Sequence, residues 1–148
     1  MKKVLVILVF SLVSLSSVGI ARAEGPYVYA FVDQTEVNLG TILMWDTVIP
    51  DALTLKINSN CLHGPIVARI SSLNSLRGGQ ILPDRIFIRT PYTGGFVSMC
   101  RPVAISEPAL GSHDIVIDFK VKANGLNDLA GKYSGTIAFT VMPSPACR

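Results

Sequence analysis

The residues of this 148-residue chain that could carry chemistry are few and thinly spaced. Cys61-Leu62-His63 sets a thiol beside an imidazole, and Cys100 with His113 would complete a four-ligand zinc site. Structural zinc sites pair their ligands at Cys-x2-4-Cys or His-x3-5-His spacing, which is missing here, so no metal is expected. Ser112-His113-Asp114 collects the residue types of a hydrolytic triad by adjacency alone. Neighbours on a strand point to opposite faces, and no Gly-x-Ser-x-Gly elbow is present. Asp114 and Asp118 would share a strand face about 13 Å apart, too far for a pair of glycosidase carboxylates. Asn124 to Asp128 offers oxygen ligands without the spaced carboxylates of a calcium loop, and it is expected to be a turn. No catalytic residue and no cofactor are expected. Trp45, followed by Asp46 in a predicted loop, is the candidate for ligand binding, and Arg77-Gly78-Gly79 and Thr93-Gly94-Gly95 mark two further loops able to carry recognition.

The three cysteines are read through their compartment. Lys2 and Lys3, the apolar run Val4 to Val13 and the small-x-small site Ala21-Arg22-Ala23 have the order of a signal peptide over residues 1–23. An uncleaved anchor is the competing reading for Val4 to Ile20. Ser11, Ser14, Ser16, Ser17 and Gly19 dilute that stretch, and a spanning helix needs roughly 20 mostly apolar residues. The expected product is secreted, periplasmic or on the cell surface, and it meets a membrane only transiently through this peptide. Disulfides persist there. Cys61 and Cys100 fall within the body of the domain and Cys147 is the penultimate residue, which favours a Cys61–Cys100 bond. Closing that loop would stabilise by roughly 3 to 4 kcal/mol. Cys147 is then left to bridge another molecule or to do nothing.

The leader also explains the charge. Lys2, Lys3 and Arg22 account for three of 13 basic residues, leaving 10 against 10 acidic ones. A neutral body has no electrostatic footprint for nucleic acid.

The elements that must position these residues are strands. Nine prolines and, beyond residue 23, eleven glycines interrupt every apolar run before a helical period develops. Ile115, Ile117, Phe119 and Val121 hold the odd positions of His113 to Val121 with Asp114, Asp118 and Lys120 on even ones, and Tyr133, Ile137, Phe139 and Val141 alternate with Ser134, Thr136, Ala138 and Thr140 over Lys132 to Met142. Leu53, Leu55 and Ile57 follow the same rule, and so do Ile66, Ala68 and Ile70. Arg85 to Arg89 turns Ile86 and Ile88 inward with arginines at its ends, which suits an edge strand. Thr35 to Met44 and Phe96 to Ile105, the latter broken by Pro102, complete the set. About seven short strands at this spacing predict an all-β, immunoglobulin-like sandwich over residues 24–142, with a tail at 143–148. Tyr27, Val28, Tyr29, Ala30, Phe31 and Val32 form a strand apolar on both faces. It is expected either inside its own sandwich or added to a neighbouring molecule.

Thr35-Glu36-Val37-Asn38-Leu39-Gly40-Thr41-Ile42, then Leu53-Thr54-Leu55-Lys56-Ile57 running into Cys61, resembles the first two strands of bacterial fimbrial, pilin-like subunits. Ala130-Gly131-Lys132-Tyr133 leading to Thr136-Ile137-Ala138-Phe139-Thr140-Val141 is similar to their closing Gly-x-Tyr strand. The resemblance covers about half of the chain beyond residue 23. It implies a non-catalytic structural or adhesive subunit of a surface fibre, assembled by strand exchange, whose partners are copies of itself or other surface subunits. The alternative is a monomeric secreted or periplasmic module that binds glycan or peptide through Trp45 and the glycine loops.

Overall fold

Alternation in the sequence becomes alternation in burial, because successive strand residues face opposite sides of a sheet. Leu53, Leu55, Ile57, Ile66, Ala68, Ile70, Ile86 and Ile88 all point into one core, joined by Ile115, Ile117, Phe119, Val121, Tyr133, Ile137 and Phe139. The computed structural model describes residues 3–8, 25–39, 46–124 and 132–145. In chain order its strands are β1 (Lys3–Leu8), β2 (Val28–Val32), β3 (Glu36–Asn38), β4 (Thr47–Ser59), β5 (Ile66–Ile70) and β6 (Leu73–Ser75). They continue with β7 (Gln80–Ile81), β8 (Ile86–Arg89), β9 (Val97–Ser98), β10 (Val103–Ala104), β11 (His113–Val121) and β12 (Tyr133–Val141). Among the described residues there is no α-helix, and none that could cross a membrane.

Two sheets form the sandwich. One runs β10-β5-β12-β1-β3, with β6 paired to β12 and to β7, and the other runs β2-β4-β11-β8-β9. The all-β sandwich class matches what strand spacing predicts, but the strands are more numerous, and β4, at 13 residues, is longer than its alternation indicates. The predicted run Phe96 to Ile105 divides between the sheets: β9 pairs with β8, β10 pairs with β5, and Cys100 to Pro102 carries the chain across. Arg85 to Arg89 is not an edge. β8 lies between β11 and the two-residue β9, because the turn at Thr90–Gly95 folds the chain back onto it. In that turn the Thr93 hydroxyl accepts a hydrogen bond from the Thr90 amide at 2.9 Å.

A bulge interrupts the longest ladder. β11 pairs with β4 from His113↔Ile57 to Ile117↔Leu53, and then resumes at Phe119↔Ile49. Pro50, Asp51 and Ala52 thus stand opposite Asp118. Pro50 has no amide to give the ladder, and Asp51 takes the left-handed conformation (φ 46°). The Asp51 amide, freed from pairing, donates to Asp118 Oδ1 at 2.8 Å. The bulge also shifts the alternation, so that Ala52 and Leu53 are both buried.

Two glycines are demanded by space, and one is Gly64, where a Cβ would lie 2.8 Å from the Met142 carbonyl oxygen. A Cβ on Gly135 in β12 would lie 2.5 Å from Leu73 Cδ2 and 3.0 Å from the Ser72 carbonyl oxygen, so only a residue without a side chain lets β6 approach.

Candidate functional site

The segment expected to be a leader takes part in the sandwich. β1 lies between β12 and β3, parallel to the first and antiparallel to the second. Its register runs from Lys3↔Ser134 to Leu8↔Phe139 on one side and from Lys3↔Asn38 to Leu5↔Glu36 on the other. Without it, β12 and β3 are not neighbours, and the sheet holds a slot one strand wide. Beside that slot lie the inward side chains of Val37, Tyr133, Ile137 and Phe139, each at most 2% exposed with β1 in place. The slot can do one thing chemically. It offers a row of backbone amides and carbonyls over an apolar floor, which is what an added strand requires. Sequence reading treats Val4 to Val13 only as a leader. The signal it passes over is the β-branched content of Lys3-Val4-Leu5-Val6-Ile7-Leu8, which favours strand.

Tyr27 to Val32 falls in the other sheet. β2 pairs with β4 alone, from Val28↔Ser59 to Val32↔Leu55, and is an edge strand of its own domain. Its two faces have different fates. Ala30 is buried, with Val28 and Val32 packed at the core margin, while Tyr29 (59% exposed) and Phe31 (53%) face solvent. Tyr27 stacks obliquely on Tyr29 with ring centroids 5.0 Å apart.

The cysteine expectation is corrected. Cys100 is a free, exposed thiol on the crossover between the sheets, so the Cys61–Cys100 bond is absent. Cys61 sits at the far end of β4, buried, with its Sγ 3.5 Å from the Tyr27 carbonyl oxygen, and it is disulfide-bonded. The reason is topological: the chain crosses sheets at Cys100 with its side chain outward, away from the end where Cys61 lies. The third cysteine, Cys147, lies outside the described residues, as does Trp45.

The remaining candidates scatter. His113 opens β11 on its inner side and Asp114 points outward across from Lys56, so Ser112, His113 and Asp114 do not converge. Asp118 is engaged by Arg89, whose guanidinium approaches Oδ2 to 2.6 Å. They border an open depression of about 360 Å³ with Asp51, Thr90 and Val116. Arg77–Gly79 and Thr93–Gly95 prove to be tight turns, with Gly78 at φ 83° and Gly94 at φ 67°. Among the described residues no three of His, Cys, Asp and Glu are grouped to hold a metal ion. Two candidates do meet: His63 and His113 lie with rings 5.4 Å apart between centroids and nearly parallel, at 14°.

Fold and site together define an all-β sandwich in which one internal position is filled by the N-terminal segment. No protein-family model and no curated protein matches the chain.

Proposed function

We propose that this chain is an exported, non-catalytic structural or adhesive surface subunit that assembles by strand addition. The observation that carries the reading is the occupancy of the slot between β3 and β12 by Lys3–Leu8, part of the segment whose charge and small-residue order mark it for removal. Removal after Ala23 would strip β12 of its partner along Ser134 to Phe139 and β3 of its partner along Glu36 to Asn38. An open edge over an apolar floor is a template for pairing with another chain. An extended apolar segment from another subunit restores both the ladder and the floor, and repetition of that step builds a fibre. The order of Thr35–Ile42 and Gly131–Val141, similar to pilin-like subunits, supports the same reading.

The test is to purify residues 24–148 and add a synthetic peptide of residues 1–10. Expected are oligomers or a low urea midpoint without the peptide, and a monomer of raised midpoint with it. A monomer of 24–148 that is fully folded alone and indifferent to the peptide would refute the proposal.

A further inference from the structure

The His63–His113 stack places three buried ring nitrogens without a protein hydrogen-bond partner side by side. His63 is 1% exposed in the loop between β4 and β5. Its Nδ1 lies 2.6 Å from the Gly64 carbonyl oxygen, so that nitrogen carries the proton, and its Nε2 is buried with no partner. Both ring nitrogens of His113 are likewise buried, and neither makes a hydrogen bond of full geometry, the Gly111 backbone being the polar group that favours its proton. A shared metal ion would have to lie in both ring planes, and two stacked, nearly parallel rings have no such common point. What suits this arrangement is a neutral His113, since an imidazolium would bury two N–H donors without an acceptor of good geometry.

The stack joins three parts of the fold. His63 exchanges backbone hydrogen bonds with Ala109 (3.0 and 3.3 Å), tying its loop to the segment that leads into β11. The next residue, Gly64, donates to the Met142 carbonyl at 3.0 Å, and Met142 donates to the Pro65 carbonyl at 3.0 Å, which fastens the end of β12. We propose that the His63–His113 stack is a proton-operated latch: neutral, it keeps this joint closed, and acidification opens it and loosens the end of β12.

Burial, and then the neighbouring His63, hold His113 below its ordinary 6.5, while the Gly111 backbone and the Asp114 carboxylate pull the other way. Asp114 stands across from Lys56 on β4, Ile57 on β4 opposes His113 without charge, and Cys61, in its disulfide, does not titrate. Because the folded value is depressed, the unfolded chain binds the proton first. The stabilisation is complete above pH 6.5 and is lost as pH falls from there toward the folded value.

The experiment follows hydrogen exchange and urea unfolding of the full chain between pH 7.5 and 5, above the range where carboxylates protonate. Expected are protection factors at Ala109, Gly64 and Met142 that fall about tenfold at pH 5, while Ile117 in the core loses no more than the fall in global stability accounts for. The urea midpoint should fall over the same range, and this fall should be flattened in His113→Gln. Should that variant fail to fold, the imidazole resonance of His113 in the unaltered chain decides, with a midpoint below 6.5 expected. A midpoint at or above 6.5, or unchanged protection at the joint, or a His113→Gln variant that keeps the full pH dependence, overturns the latch.

Discussion

Substituting Asp118 by alanine tests whether the bulge opposite Pro50 is held by one carboxylate. Asp118 is 15% exposed in its side chain and makes three contacts: Oδ1 accepts from the Asp51 amide at 2.8 Å, and Oδ2 accepts from Arg89 Nε at 2.7 Å and meets its terminal nitrogen at 2.6 Å. An amide bond to a charged acceptor contributes about 1.5 kcal/mol at the low end of its range, which applies because Asp51 is exposed and water can replace the carboxylate. Arg89 is 45% exposed, so solvent screening limits the ion pair to about 0.5 kcal/mol. Asp118→Ala is therefore expected to cost about 2 kcal/mol in urea unfolding. Asp118→Asn keeps an oxygen for the Asp51 amide but loses its charge and the ion pair, so its cost should be about 1 kcal/mol and should shrink in 1 M salt, where the screening length falls to about 3 Å. A loss below about 0.5 kcal/mol for the alanine variant, or equal losses for both variants, would refute this account of the bulge.

Other outcomes follow from the same geometry. Non-reducing peptide mapping should find Cys100 alkylated without reductant and Cys61 joined to Cys147, the only cysteine left for it. The fastening of Met142 to Gly64 and Pro65 brings the chain back beside Cys61 five residues before Cys147, and Cys100→Ser should leave thermal stability unchanged. Gly135→Ala should destabilise by about 1 to 3 kcal/mol in denaturant titration, since its methyl would overlap Leu73 and press on the Ser72 carbonyl. Intact mass of the exported protein should begin at Glu24, and retention of residues 1–23 would show that β1 is a permanent strand.

The parts of the fold that were legible are those coded by neighbours in sequence. Ile115, Ile117, Phe119 and Val121 announce their face by alternation, and the core receives them as expected. Whatever depends on pairing between distant segments was not legible. Alternation around Pro50 cannot reveal that Asp118, 68 residues on, will capture the Asp51 amide. The same holds for the cysteines, whose partners are set by which end of the sandwich each reaches, and for His63 and His113, brought together by the bridge at Ala109. Phe31 reads as core material by type, but the edge position of β2 leaves its outer side without a covering layer. Lys3–Leu8 carried two messages at once, a leader by its place and a strand by its residues.

The 13-residue strand β4 has a mechanical consequence. It is bonded to β2 on one side and to β11 on the other, with its hydrogen bonds directed across the strand axis. Tension applied along β4 loads these bonds in shear, all at once, whereas tension that lifts a strand away breaks them singly. β2, five residues long and held on one side only, is the strand that peels. The direction of pull, more than the total stability, then decides how much force the sandwich withstands.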